Sequence, residues 1–226
     1  MKKKTFYTEL AYILGLVILS FSAAFMERTG FGVSMVIAPA YILHLKLSQF
    51  LPFFSFGMAE YTFQAFLLIL IAIVIKRVKI SYLFSFITAV IYGFLLDGAM
   101  KIVSFIPYDT FFINILFYVL GIILCSTSIS LLFHTYISPE AYELFVMETS
   151  KNFKLNIHKV KTIYDCSSCF IAICMSFVFF GLWHFEGVKI GTIFCAVING
   201  PLISFISKQF DKVYDFEDLF SFRKYF

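Results

Sequence analysis

The 226-residue chain is 61% hydrophobic and only 14% charged, with 32 phenylalanines and a formal net charge of +4. Its mean hydropathy of +0.90 excludes an ordinary soluble domain, in which charged residues make up about a quarter of the sequence. The excess positive charge is a topological signal and gives no reason to expect nucleic acid as a partner.

Six apolar stretches reach the roughly 20 residues that a helix needs to cross a bilayer: 10–26, 56–75, 82–100, 111–133, 163–185 and 191–207. They are continuous runs without the alternation of barrel strands. The expected fold is therefore all-α: a polytopic membrane protein with six transmembrane helices and the lipid bilayer as its first partner. Lys2, Lys3 and Lys4 ahead of the first run resemble a secretory signal, with Ser22-Ala23-Ala24 near a cleavage point. The same segment recurs at 112–135, where no signal would stand, so the first span is retained.

That recurrence is the main organisational feature. At a spacing of 106 residues, Gly15 matches Gly121, Phe6 matches Phe112, Leu10 matches Leu116, Tyr12 matches Tyr118, and Ser22 matches Ser128. Val78-Lys79-Ile80 returns as Val188-Lys189-Ile190. Each copy has three spans, so the second must begin on the opposite side of the membrane. The pattern predicts two inverted three-helix repeats, residues 6–106 and 107–207, and a cytoplasmic tail at 208–226. Inverted duplication is a hallmark of secondary transporters.

With a cytoplasmic N-terminus, 14 of the 18 lysines and arginines fall inside, among them Lys76, Arg77, Lys79, Lys151, Lys154, Lys159, Lys161, Arg223 and Lys224. Arg28, Lys46, Lys101 and Lys189 lie toward the outside. Both termini are expected to be cytoplasmic.

Between the first two spans, residues 30–43 carry no charge. The stretch is too short to cross and predicts a short re-entrant or interfacial helix, with Gly32 freeing the turn and Ser34 capping the helix. Backbone N–H groups at such a start suit an anion or carboxylate, and a packed connector is the plainer reading. The matching segment Ser138-Pro139-Glu140 is a helix-start signal. With Glu140, Glu143 and Glu148 set against Tyr142, Phe145 and Val146, it predicts an amphipathic helix lying on the cytoplasmic surface, followed by a basic linker at 151–161.

Ionisable groups inside spans are costly, and they mark candidate pathways. Glu60 and Gln64 lie one turn apart on one helical face, with no local cation. Asp97 and Lys101 are spaced to pair, and Asp165 follows Lys161 by one turn; snorkelling end-of-helix acids are the plain alternative for both. Asn199-Gly200-Pro201 falls near the centre of the sixth span and predicts either a packing kink or a helix interrupted at membrane depth. Cys125, Cys166, Cys169, Cys174 and Cys195 read as small packing residues, since Cys166-x-x-Cys169 has no second pair to complete a metal site. His44, His134, His158 and His184 show no ligand spacing. No catalytic motif, metal site or cofactor is expected.

Gly30-Phe31-Gly32-Val33-Ser34, Gly93-Phe94-Leu95-Leu96-Asp97, Val160-Lys161-Thr162-Ile163-Tyr164-Asp165 and Asn199-Gly200-Pro201-Leu202, in this order, resemble the YczE/YyaS/YitT group of bacterial membrane proteins over residues 10–208. The resemblance implies a multi-pass protein of the bacterial plasma (inner) membrane whose substrate is not established; Glu60 matches no motif of the group. The leading functional expectation is a secondary transporter or exporter of a small solute, with Glu60, Gln64, Asp97, Asp165, Asn199, Gly200, Pro201, Gly32 and Ser34 as pathway candidates. A non-transporting scaffold or regulatory partner is the alternative, an enzyme is not expected, and an oligomer is compatible with the sequence.

Overall fold

The computed structural model describes residues 3–76, 79–106, 110–183 and 185–220. Lys2, Arg77, Val78, His184, Arg223 and Lys224, named above, lie outside the described residues. Among the described residues eight helices follow in chain order: α1 (Thr8–Arg28), α2 (Ala38–Leu47), α3 (Phe56–Ile75), α4 (Ile80–Ser104), α5 (Phe111–Phe133), α6 (Ala141–Phe153), α7 (Ile157–Phe180) and α8 (Ile190–Val213). Six of them, all but α2 and α6, are long and apolar enough to span a membrane. The protein is thus a helical polytopic membrane protein.

Local chemistry fixes several ends. The Ser55 hydroxyl caps α3 by accepting from the Met58 N–H, and the Asn156 side chain caps α7 by accepting from the His158 and Lys159 N–H groups, each satisfying donors that a helix start leaves free. That cap starts α7 six residues before the expected Ile163, and Gly181, at φ 101°, ends it. Two short strands, β1 (Lys4–Tyr7) and β2 (Tyr214–Glu217), pair in parallel. The tail expected from residue 208 is therefore helix to Val213 and then strand, an element that the apolar runs gave no sign of.

Burial is inverted relative to a soluble protein. Phe66, Ile73, Phe94, Phe112, Leu116 and Val178 are exposed, while Ser20, Ser22, Ser85, Ser126, Ser128 and Ser130 are buried. Lipid is as apolar as leucine, so helices associate through small residues, close packing and polar contacts. The α1–α5 pair illustrates this. A Cβ on Gly15 would meet Leu132 Cγ at 2.9 Å and the Ser128 carbonyl at 3.4 Å, and one on Gly121 would meet Met26 Cγ at 2.5 Å and the Ser22 carbonyl at 3.3 Å. These two sets of contacts are related residue for residue by the 106-residue spacing.

The same exchange holds for the larger packing pattern. The α1–α4 contact has its counterpart in α5–α8, α3–α4 in α7–α8, α2–α3 in α6–α7, and α2–α7 in α3–α6. The segments leading into the two short helices are pinned in matching ways. Thr192 on α8 donates to the Val33 carbonyl and Ser168 on α7 to the Met35 carbonyl. On the other side, Thr88 and Ser85 on α4 donate to the Ser138 and Pro139 carbonyls, and Gln64 on α3 accepts from the Ala141 N–H. Gly32 is required here: its φ is 109°, and a Cβ would meet Thr192 Oγ1 at 2.4 Å.

Four expectations are corrected. First, α6 does not lie on the surface: Glu140, Ala141, Tyr142 and Glu143 are all buried, because its first turn is drawn inward by Gln64 and Lys161. Second, Ser34 caps no helix. The residue ahead of α2 is Ile37, and Ser34 turns its hydroxyl to Met35 Sδ and Cys125 Sγ. Likewise the residue ahead of α6 is Glu140 rather than Ser138. Third, Asn199-Gly200-Pro201 does not interrupt α8, which is continuous around Pro201. Gly200 instead allows a close crossing with α7, where a Cβ would meet Thr162 Oγ1 at 2.0 Å. Fourth, Asp97 does not pair with Lys101 among the described residues. Its carboxylate accepts from Ser55 Oγ at 2.6 Å and from the Gly57 N–H at 2.8 Å, so it anchors the start of α3.

Candidate functional site

A polar network occupies the middle of the bundle. Gln64 is eight residues into α3 and Asp165 eight into α7, so each lies about 12 Å along a helix at 1.5 Å per residue. Glu60, Gln64, Glu140, Glu143, Lys161, Asp165 and Asn199 are all between 0% and 1% exposed. Position along the helices and complete burial together exclude the snorkelling reading for Asp165.

The network has two arms. In one, Lys161 Nζ lies 3.0 Å from Asp165 Oδ1 and 3.2 Å from Glu143 Oε1. Asn199 Nδ2 donates to Asp165 Oδ2 at 3.3 Å, and Ser126 Oγ donates to Asn199 Oδ1 at 2.8 Å. In the other arm, Gln64 Nε2 donates to Glu60 Oε2 at 3.3 Å and to Glu140 Oε2 at 3.2 Å, while the Tyr142 hydroxyl donates to Glu60 Oε2 at 2.9 Å. α3, α5, α6, α7 and α8 all contribute, so both halves of the sequence build one site.

Four carboxyls face one ammonium group. Fully ionised, these five groups would carry four negative charges and one positive charge, a net of −3. Glu60 Oε1, Glu140 Oε1, Glu143 Oε2 and the Tyr92 hydroxyl have no hydrogen-bond partner among the described atoms. Glu140, Tyr142, Glu143 and Tyr92 line a small internal cavity of about 10 Å³ together with Ser34, Ile37 and Cys125. That is about the room one water needs. The cavity also shows that the approach to α2 and the first turn of α6 meet at the centre, where both helix starts direct the positive ends of their dipoles. Glu140, outside the six spanning helices, is held well above the ordinary glutamate range by burial, with Glu143 and Glu60 pushing the same way.

An apolar groove of about 500 Å³ opens between α3 and α7, walled by Phe63, Phe66, Ile163 and Ser167 and floored by Pro39 and Phe145. Phe145 and Tyr164 pack with ring centroids 5.4 Å apart, and Lys161 Nζ lies 5.7 Å from the Tyr164 ring. This aromatic pair stands between the groove and the network.

Of the residues singled out from the sequence, Glu60, Gln64, Asp165 and Asn199 come together here. Ser34 lines the adjoining cavity. Gly32 and Gly200 serve close packing, Pro201 is exposed, and Asp97 caps α3. Glu140, Glu143 and Lys161 were assigned to a surface helix and a linker. The signal that would have found the two glutamates is the repeat: residues 30–43 suggest a re-entrant helix, and adding 106 to Met35 lands on Ala141. All five cysteines are free, and among the described residues no three His, Cys, Asp or Glu side chains are grouped as a metal site.

These features define a class: a multi-pass helical membrane protein with two short helices meeting at a buried ionisable network. The chain belongs to a family of unknown function (DUF6198), whose model matches residues 6–208. No curated protein and no solved structure matches it.

Proposed function

We propose that the protein is a secondary carrier of a small solute, built from inverted halves at residues 6–106 and 107–207 with a tail from 208, and is not an enzyme. The observation that carries this reading is the ionisable network itself. Buried charges at membrane depth are costly, and they persist chiefly where an ion or substrate is handled. The location supports it further, since carriers of inverted design place their sites at the junction of the halves near the midplane. The reciprocal Gly15 and Gly121 contacts and the exchange of packing partners support the inverted arrangement. The groove between α3 and α7 supplies a lateral route, with the Phe145–Tyr164 pair as its inner barrier.

The finer family assignment to the YczE/YyaS/YitT group, a bacterial inner-membrane location and cytoplasmic termini belong to the same proposal, supported by motif order and by the lysine distribution. A single cysteine at Lys154 in an otherwise cysteine-free protein should escape an impermeant thiol reagent in intact cells; ready labelling reverses the topology. The burial of the polar groups between helices of both halves favours the carrier reading over the scaffold alternative. Reconstitution into liposomes with a panel of radiolabelled amino acids, organic cations, sugars and carboxylates tests transport. One solute class should accumulate above protein-free controls, and a folded protein that moves none of them argues against a carrier.

A further inference from the structure

We propose that the ligand held by the Glu60–Gln64–Glu140 arm is the proton: Glu60 and Glu140 form a proton-holding pair, each protonated in this closed arrangement. The inference rests on the carrier reading only for the use to which the protons are put.

The argument begins with charge. Lys161 lies within 3.2 Å of Glu143 and Asp165 but makes no ion pair with Glu60 or Glu140 among the described residues. Two carboxylates sharing one amide without a cation, in a water-poor interior, repel each other and lose their hydration. A neutral carboxylic acid removes that cost and gains a donor. The geometry also leaves one oxygen of each carboxyl free to carry the proton. Glu60 Oε1 and Glu140 Oε1 are the oxygens without partners, whereas Glu60 Oε2 and Glu140 Oε2 already accept from Gln64 Nε2. A proton on each free oxygen leaves every existing hydrogen bond in place.

The other charged and titratable groups around the pair are consistent with this. Glu143 and Tyr142 approach from α6, Lys161 and Tyr164 from α7, Tyr92 from α4, Tyr12 from α1 and Cys125 from α5. Lys161 is the one cation in this set, and it is already shared between two acids. A metal ion is a poorer occupant: the cavity is about 10 Å³, and no three-ligand group exists among the described residues. The positive ends of α2 and α6 supply partial charge that eases release of the proton.

Infrared spectroscopy of the purified protein in lipid vesicles reads protonated buried carboxyls directly and needs no solute. The wild type should show a protonated-carboxyl band at neutral pH, and the band should shift in D2O. Glu60→Gln and Glu140→Gln should each remove part of it, while the exposed Glu217→Gln should leave it unchanged. If one glutamine variant fails to fold, the other variant and the wild-type pH titration from roughly pH 5 to roughly pH 9 still decide. The absence of the band at neutral pH overturns the proposal. So does a band that disappears when sodium or potassium replaces choline, since the site would then take a metal cation. An empty solute screen would count against the carrier reading alone, because the band is measured independently of transport.

Discussion

Gln64 on α3 and Glu140 ahead of α6, 76 residues apart in sequence, meet at 3.2 Å in the buried centre of the bundle. The same Gln64 accepts from the Ala141 N–H through its other end. One amide therefore holds the first turn of the second short helix against a span from the first half of the chain, and it sets the depth to which α6 descends.

Replacing Gln64 with leucine removes those contacts and leaves the Ala141 N–H and two carboxyl oxygens without this partner. Each buried orphan costs about 1–3 kcal/mol. Gln64→Leu should lower stability by roughly 2–5 kcal/mol, read as a shift in the denaturant midpoint of detergent-purified protein. Wild-type stability would mean that α6 is not held by this contact.

Lys161 neutralises part of the charge of two acids at once. Lys161→Met leaves Glu143 and Asp165 buried without their cation, and breaking a buried pair in this way costs about 3–5 kcal/mol. Adding Asp165→Asn should recover part of the loss, because one uncompensated charge is then removed. Additive destabilisation in the double variant would show that the two residues do not act as a pair.

Helix crossing gives a sharper contrast. A Cβ on Gly57 would lie 2.2 Å from the Gly93 carbonyl and 2.7 Å from Asp97 Oδ2, whereas one on Gly98 meets nothing within 4 Å. Gly57→Ala should cost about 1–3 kcal/mol through overpacking, and Gly98→Ala should be neutral or slightly stabilising. Thermal unfolding of the two variants in the same detergent checks the α3–α4 interface.

The raised Glu140 carboxyl has a consequence for pH. Its folded state binds a proton more tightly than its unfolded state, so its contribution to stability is fully present below the ordinary glutamate range and is lost as pH rises toward the raised value. Unfolding midpoints should therefore fall with rising pH through this window. Glu140→Gln should flatten the slope, and an unchanged slope would mean that Glu140 ionises in the fold as it does in water.

Much of the frame was legible in the residues. The bounds of α3 and α5 follow directly from their apolar runs, and the 106-residue spacing anticipated the reciprocal glycines. Glu60 and Gln64 were also legible as one face of a span. The inward course of α6 was not, because its alternation of glutamates with aromatics is the pattern of a surface helix. What reverses that reading is tertiary: Gln64 and Lys161 each offer a buried partner to one carboxyl oxygen of Glu140 and of Glu143. Lys161 was legible as the neighbour of Asp165 one turn away, but its second acid, Glu143, was not, since a lysine in a basic stretch looks like a topology signal. Of the two readings that Pro201 allowed, a packing kink and an interrupted helix, the second is ruled out, for α8 runs on past it with Pro201 on its exposed side.

The most direct test of the central claim, that the buried network is the working site of a carrier, is solute flux in proteoliposomes bearing wild type, Glu60→Gln or Asp165→Asn at matched, folded amounts. Both changes keep side-chain shape and remove the ability to ionise. The account predicts flux by the wild type and its loss in both variants. Equal flux in all three would contradict it, reducing the network to a structural feature of the bundle.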